Sequence, residues 1–352
     1  MPCYGLAVPL GQAFAEGIAR GALATAMAIP GVVLRIQRDP LGGRELAAWT
    51  RWAAPDGLIL FATAPVRGPV VHVCGDGAND VTVDEAAIGR LAAQHLLAQA
   101  PACLAVIDVG AGWSRSRADA FVHAAPGAHR LIEKTWDRPA GRRRLVNALR
   151  ALPRPVGCFA VNDRTAAAVA DALAAAGLVV GREILLLGAD DDELACRSVH
   201  PALSSIQVPW ERVGREAMLA LHQRPRHNRG MLAIPPSGVI VRGSSDRLAV
   251  DDPALAAAVA CARAGATGTD DLAAAAGLHR RALERRCRSV LGLTPLALLH
   301  RARIDRARGL LLDGVAVEAV ARRCGWSSRA AFAIAFRVAT GETPGFWRAA
   351  RR

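Results

Sequence analysis

Two successive helix-turn-helix patterns in the last hundred residues restrict what this 352-residue chain can fold into. In the second pattern, one face of a short helix is apolar at Val317, Val320 and Ala321. Gly325 then stands where a tight turn must form, and Ser327 or Ser328 can cap the next helix. In that helix Phe332 and Phe336 lie one turn apart, which predicts that they face inward. The opposite face would present Ser328, Arg329 and Arg337.

Residues 270–288 repeat this pattern in a weaker form. Residues 270–277 predict a capped short helix that ends at Gly277, and residues 278–288 predict a second helix with Leu283 and Cys287 inward. The outward side chains of this second helix would be Arg280, Arg281 and Arg285. A long amphipathic helix predicted over residues 295–312 would hold the two motifs at a fixed separation.

Two recognition helices about one turn of DNA apart, ~34 Å, can enter successive major grooves of one duplex. The duplication therefore favours double-stranded DNA as the partner. A small helical bundle that binds protein, or binds nothing, is the alternative. Arginines on the first recognition helix suit contacts to guanine. The second helix carries Ala330, Ala331 and Ile334, which can contact thymine methyl groups but cannot form side-chain hydrogen bonds.

Residues 252–352 resemble the DNA-binding domain of AraC/XylS-type transcription regulators. The resemblance rests on residues 292–295, 303–311, 325–326 and 341–344, with Phe332, Phe336 and Arg348 at the matching spacing. It implies an all-α domain with two helix-turn-helix motifs that binds DNA.

Composition sets the expected class and compartment. The net charge is +13, and residues 250–352 hold 17 arginines against 9 acidic residues, which favours a phosphate-bearing partner. No apolar run approaches the ~20 residues of a membrane span, and no basic-then-apolar signal opens the chain. The eight cysteines are scattered without C-x-x-C spacing, which argues against zinc and disulfides. We therefore expect a cytoplasmic protein that does not bind a membrane.

The first 245 residues alternate apolar strands with alanine-rich helices, which predicts parallel sheets covered on both faces. The predicted strands are residues 5–8, 32–35, 57–61, 70–74, 103–109, 157–161 and 183–187. The predicted helices include residues 13–28, 86–98, 116–124, 141–151 and 166–176. Ligands of such sheets bind beyond the carboxyl ends of the strands.

Charged residues gather at those predicted strand ends. They are Asp84 before one helix, Arg117 at the start of another, Asp163 after a strand, and Asp190 with its neighbour Asp191 after the next. Carboxylates beside an arginine suit vicinal hydroxyl groups, and an aromatic ring such as Phe14 or Trp210 can cover the apolar face of a sugar. Any single aspartate there could instead be a helix cap or turn residue. Several on one rim favour a polyol site.

This half resembles the periplasmic-binding-protein-like effector domain of LacI/GalR-type regulators. The resemblance rests on residues 83–84, 95–97, 159–166, 187–191 and 201–207, with Arg117 ahead of Phe121. It implies that Asp84, Arg117, Asp163 and Asp190 touch a sugar. With the AraC-type half, it implies an α/β two-lobed domain over residues 1–245, a linker over 246–251, and an all-α domain over 252–352.

The two resemblances together imply a sugar-responsive transcription regulator that activates a catabolic operon for xylose or a related pentose. Such a protein would form a homodimer and contact RNA polymerase. The alternatives are a sugar-binding protein of the transport type and a repressor that responds to a different small polyol. Because neither a phosphate-binding glycine loop nor a G-x-S-x-G motif is present, we expect no enzyme activity and no cofactor. His95 and His200 lack metal-ligand spacing, so no metal is expected.

Overall fold

The structure, a computed structural model, describes residues 1–37, 43–61, 68–74, 80–99, 101–223, 231–246, 248, 252–312, 314–340 and 342–349. Its contacts divide the chain into two compact units. One consists of residues 1–96 and 100–245, and the other of residues 97–99 and 246–352. The linker predicted over residues 246–251 lies outside the described residues, except for positions 246 and 248. None of the helices in the described residues is long and apolar enough to cross a bilayer.

The first unit alternates strands with helices, as its sequence predicts. Its strands are β1 (Cys3–Ala7), β2 (Val33–Gln37), β3 (Gly57–Leu60), β4 (Val70–His72), β5 (Val81–Val83), β6 (Cys103–Asp108), β7 (His129–Ile132), β8 (Val156–Ala160), β9 (Ile184–Ala189), β10 (Ser204–Gln207), β11 (Leu232–Ile234) and β12 (Gly238–Ile240). Its helices are α1 (Ala13–Ala28), α2 (Gly43–Ala53), α3 (Glu85–Leu97), α4 (Gly112–Ala124), α5 (Pro139–Arg150), α6 (Asp163–Ala175), α7 (Glu193–Arg197) and α8 (Trp210–Gln223).

Two parallel sheets organise this unit into two lobes. One has the strand order β2-β1-β3-β4, and the other has the order β12-β10-β9-β8-β6-β7, in which β12 pairs antiparallel with β10. Strands β3, β8 and β9 are buried along their whole length, because helices cover both faces of a parallel sheet. A short parallel pair joins β5 to β11.

Helix α4 differs from its prediction in a way that matters for the site. It begins at Gly112, four residues before the predicted start at Ser116. Ala111 is its extended N-cap residue, without a side-chain capping bond, so the polar residue that would have marked the start is absent. Arg117 therefore lies in the second turn of α4, with its side chain buried.

The second unit is all helical in the described residues. Its helices are α9 (Pro253–Ala264), α10 (Thr269–Ala275), α11 (Arg280–Arg286), which continues into a π-helical turn over Cys287–Leu291, α12 (Pro295–Leu312), α13 (Val317–Arg323), α14 (Arg329–Thr340) and α15 (Pro344–Ala349). Helix α12 spans both of its cores: Leu298, Leu299 and Ala302 pack with α9–α11, and Ile304, Ala307 and Leu311 with α13–α15.

The four side chains predicted to face inward in the two motifs are all buried: Leu283, Cys287, Phe332 and Phe336. Gly325 ends the first helix of the second motif with φ 76°, a left-handed conformation that favours glycine. The two helix-turn-helix units thus occupy the predicted positions, with α12 between them.

Candidate functional site

A cavity of about 160 Å³ lies in the first unit, beyond the carboxyl ends of strands from both sheets. Residues that follow β1, β3 and β4 line one side, and residues that follow β6, β8 and β9 line another. A protein cavity of roughly 150 Å³ can admit a molecule the size of benzene. A six-membered ring therefore fits this space.

Arg117 is the centre of the polar wall. Its side chain is only 3% exposed; Nε donates to Glu85 Oε2 at 2.5 Å, and Nη1 donates to the Val161 carbonyl at 2.6 Å. Nη1 also lies 3.4 Å from Asp190 Oδ1. Burial alone would lower the pKa of Arg117, but the charges of Glu85 and Asp190 outweigh it and raise the pKa. Arg117 is therefore a permanent cation that holds two carboxylates at the cavity.

Burial raises the pKa of both aspartates beside Arg117. Burial raises the pKa of Asp190 to about 7, although the Arg117 charge opposes this shift. Burial and the nearby Asp190 charge raise the pKa of Asp163 well above its usual value. Asp163 Oδ2 accepts hydrogen bonds from the Asp192 amide at 2.8 Å and the Ser205 hydroxyl at 2.9 Å. Protonated carboxyls can donate as well as accept, so this wall can match hydroxyl groups in either direction.

Backbone geometry after β9 separates two neighbouring aspartates. Asp190 and Asp191 have φ of 109° and 53°, a left-handed region that non-glycine residues rarely adopt and that is frequent at binding sites. Asp190 consequently lines the cavity, whereas Asp191 accepts a hydrogen bond of 2.7 Å from Arg242 Nη2. Gly188 beneath them leaves room for Asp163, since a Cβ at Gly188 would come within 2.0 Å of Asp163 Oδ1.

Two of the predicted ligand residues do not line the cavity. Asp84 Oδ1 accepts a hydrogen bond from the Ala87 amide at 2.7 Å, so its side chain caps α3. The rim position predicted for Asp84 belongs instead to the next residue, Glu85. Asp191 is turned away, as described above. The structure thus brings together Phe14, Arg117, Asp163 and Asp190, but not Asp84 or Asp191.

Aromatic rings form the apolar wall. Phe14 lies 5.2 Å from Phe61 and 5.5 Å from Trp210, measured between ring centroids. Trp113 lines the cavity beside Arg117, whose guanidinium carbon is 5.0 Å from its ring centroid. Phe14 and Trp210 are predicted from the sequence, whereas Trp113 and Glu85 are not. The sequence signal that could have predicted Trp113 is its position a few residues after the strand that ends at Asp108, because ligands of parallel sheets bind beyond such strand ends.

The two recognition helices of the second unit expose unequal sets of polar groups. Arg281 and Arg285 on α11 are exposed, and neither has an ion-pair partner among the described residues. Arg280 lies 3.2 Å from Asp270. On α14, Arg329 pairs with Glu318, and Ser328 Oγ accepts the Ala331 amide at 3.1 Å. Arg337 is exposed and has no ion-pair partner in the described part of the chain.

One arginine of α12 contacts both motifs. Arg303 Nη2 donates to the carbonyls of Ala266 and Thr267, just before α10, at 3.3 and 2.7 Å. Its guanidinium carbon also lies 6.0 Å from the ring centroid of Trp326, in the turn between α13 and α14. The side chain therefore ties the entry to the first motif to the turn of the second.

Comparison with known domains agrees with this division. A periplasmic binding protein-like domain model matches residues 93–245, and a helix-turn-helix domain model matches residues 272–350. The chain joins these two kinds of domain. This combination confirms the predicted fold class, a two-lobed α/β domain followed by a helical domain with helix-turn-helix motifs.

Curated relatives share this chain's sequence over part of its length. The xylose operon regulatory protein of Escherichia coli (strain K12) is 28% identical over 214 residues, which are 59% of this chain and 55% of that protein. The chain thus matches about half the length of that relative. The xylose operon regulatory protein of Haemophilus influenzae (strain ATCC 51907 / DSM 11121 / KW20 / Rd) is 25% identical over 289 residues, 75% of this chain and 73% of that protein.

Solved structures share the fold. A xylose-binding transcription activator superposes with a TM-score of 0.60 at 22% identity, covering 99% of this chain and 98% of that chain. A LacI family transcriptional regulator from Enterococcus faecium with bound ribose gives 0.57 at 20% identity, covering 69% of this chain and 98% of the other. The second match spans a share of this chain similar in size to its first unit.

Proposed function

We propose that this protein is a sugar-responsive DNA-binding transcription regulator whose effector is a pentose such as xylose. The observation that carries the proposal is the cavity, which is lined both by the charged groups of Arg117, Glu85 and Asp190 and by the aromatic rings of Phe14 and Trp113. Charged groups that hold hydroxyls, set against rings that cover C–H faces, are the chemistry of sugar recognition. The names of the relatives support the same effector class.

In this proposal the helical unit binds the DNA. Arg281 and Arg285 on α11 and Arg337 on α14 are exposed and have no ion-pair partner within the described part of the chain, so they suit phosphate oxygens and guanine edges. Arg280, Arg329 and Ser328 belong to the same surfaces, although each is already engaged within the protein. In this proposal the protein works in the cytoplasm, where the DNA is, as a homodimer that activates transcription through contact with RNA polymerase.

A calorimetric titration tests the sugar half of the proposal. We expect D-xylose or a related pentose to bind, and Glu85→Gln and Asp190→Asn each to lower its affinity at least tenfold. The reason is that a buried group left without its partner costs about 1–3 kcal/mol. Asp84→Asn is the matched control, because asparagine caps a helix as well as aspartate does and Asp84 does not line the cavity.

Equal losses in Asp84→Asn and Glu85→Gln would show that the site lies elsewhere on the rim. The DNA half is tested by sequence selection from a randomised duplex pool with the full-length chain, followed by fluorescence anisotropy with and without the pentose. A chain that enriches no sequence, or whose DNA affinity and footprint are the same with saturating sugar, would contradict a sugar-responsive regulator.

A further inference from the structure

The second recognition helix, α14, carries an exposed apolar stripe. Ala330, Ile334 and Val338 lie on successive turns of one face, and all three are exposed. Ile334 is 67% exposed and Val338 is 84% exposed, although Phe332 and Phe336 on the other face are fully buried. The stripe therefore does not serve the core of this unit.

Polar groups at the start of α14 are already engaged. The Ser328 hydroxyl caps the helix, and Arg329 pairs with Glu318 on α13. The positions that follow, up to Phe336, are alanine, isoleucine and phenylalanine. In the described residues, the first uncommitted hydrogen-bonding side chain along α14 is therefore Arg337, two turns into the helix.

We propose that α14 selects thymine by contact of Ile334 with its C5-methyl group, and not by hydrogen bonds to base edges. This inference rests on the proposed DNA-binding function. In the major groove the thymine methyl is the apolar feature that a side chain can read, and the second helix of a helix-turn-helix enters that groove. Ala330 is small enough to let the helix approach, and Val338 extends the same apolar surface.

Charge indicates DNA as the occupant of this surface. Arg322, Arg323 and Arg337 of the same motif are exposed, and none has an ion-pair partner among the described residues. An apolar stripe among uncompensated cations matches a polyanion that carries methyl groups. An apolar protein surface would leave those cations without partners.

The test removes single methyl groups from DNA. A duplex enriched by the full-length chain is resynthesised with deoxyuridine in place of one thymidine at a time, which deletes the C5-methyl and keeps every hydrogen-bonding group. We expect one or two positions within the part of the site covered by α14 to lose affinity about fourfold each, the factor that corresponds to ~0.8 kcal/mol for a buried methyl-sized group. Deoxyuridine elsewhere should have no effect.

Protein variants identify the side chain that contacts the methyl group. Ile334→Ala should bind the thymidine duplex about as weakly as the wild type binds the deoxyuridine duplex, and should no longer distinguish the two. Arg281→Ala is the control and should keep the full discrimination at those positions, because Arg281 lies on α11. Val338→Ala should reduce the discrimination between the two duplexes by less than Ile334→Ala does.

The outcomes separate this inference from the proposed function. Two outcomes would overturn only the proposed recognition of the thymine methyl group. One is sequence-specific binding in which no deoxyuridine substitution lowers the affinity more than twofold. The other is an Ile334→Ala variant that still distinguishes the thymidine duplex from the deoxyuridine duplex. If Ile334→Ala leaves DNA binding intact but changes the sedimentation coefficient of the protein, the stripe is a surface for a second copy, and the proposal fails. Enrichment of no sequence at all overturns the proposed function, and this inference with it.

Discussion

Arg117 shows how one residue sets the chemistry of a whole cavity. Its buried guanidinium contacts Glu85, the Val161 carbonyl and Asp190, which come from three separate segments of the chain. A buried charge without partners would be costly, so removing any one partner disturbs the others. Burial in this arrangement raises the pKa of Asp163 and Asp190, because it favours the neutral forms of their carboxyl groups.

We predict that Asp190 makes the stability of the first unit fall as the pH rises from about 5 towards 7. Acidic groups of this unit whose pKa is lowered, such as Glu133, add stability mainly below that range. The folded pKa of Asp190 is about 7, above its ordinary value of 3.8, so the folded chain holds a proton that the unfolded chain has lost. The stabilising contribution is complete at low pH and is lost as the pH passes through 7, with a slope of up to about 1.4 kcal/mol per pH unit for one proton. Thermal melts between pH 5 and pH 8 measure this.

Asp190→Asn should flatten that profile, and Asp163→Asn together with Asp190→Asn should flatten it further, because both carboxyls have raised pKa values. Asp171→Asn, at an exposed position of α6, is the control and should follow the wild type. A wild-type profile that rises from pH 5 to pH 7 would show that these carboxyls are ionised in the folded protein.

Among the elements, α12 has the largest part in placing the two motifs. Its two halves belong to separate cores, and Arg303 between them bonds to the loop before α10 and lies beside Trp326. The distance between α11 and α14 therefore depends on one continuous helix and on one side chain. Recognition of successive major grooves requires such a fixed separation.

Arg303→Ala should loosen both motifs together. The Ala266 and Thr267 carbonyls would lose their donor and Trp326 its neighbour, and we expect a loss of about 1–3 kcal/mol in the free energy of unfolding of the second unit. Hydrogen exchange read by mass spectrometry should rise in both α10 and α13–α14. Arg281→Ala, which removes an exposed arginine that pairs with no acidic residue in the described ranges, should change exchange in neither. Faster exchange in one motif alone would show that Arg303 does not join them.

Helix α11 should make most of the side-chain hydrogen bonds to base edges. Arg281→Ala and Arg285→Ala are each expected to relax specificity at one position of the selected duplex, at a cost of about 1–3 kcal/mol. Arg337→Ala should weaken binding to all sequences by a similar factor, as a phosphate contact does. Anisotropy against the selected duplex and a scrambled duplex distinguishes the two patterns. Equal losses on both duplexes for Arg281→Ala and Arg285→Ala would make α11 a phosphate clamp.

At the scale of the whole molecule, the chain consists of two compact units, one of residues 1–96 and 100–245 and the other of residues 97–99 and 246–352. A sugar that binds one unit can affect the other only if it binds two arrangements of the protein with different affinities. In our proposal, the linker over residues 246–251 transmits that difference.

A flexible Gly-Ser insertion between residues 249 and 250 should therefore leave sugar affinity and DNA affinity unchanged while abolishing the effect of one on the other. Limited proteolysis should cut the wild-type chain between residues 235 and 252 and leave two folded fragments. Calorimetry, anisotropy and mass spectrometry of the fragments measure these outcomes. Coupling that survives the insertion, or first cleavage within α3, would contradict this organisation.

Local patterns in the sequence determined the architecture. Strand and helix periodicity predicted α1 and α12 with their observed bounds, and the glycine and phenylalanine spacing predicted the motif around Gly325. These features depend on residues a few positions apart, so a local pattern records them. Helix α8 is not among the predicted helices, although its buried Val213, Ala217 and Leu221 stand at helical spacing.

Only the tertiary structure decided which polar side chains share a site. The sequence places Asp84 and Glu85 side by side, and it cannot show that one caps α3 while the other meets Arg117. The same holds for Asp190 and Asp191, which left-handed backbone conformations turn in different directions. Likewise, Arg329 looks free along the chain but pairs with Glu318 in the fold. Periodicity follows from backbone geometry, whereas the partner of a side chain depends on segments that only folding brings together.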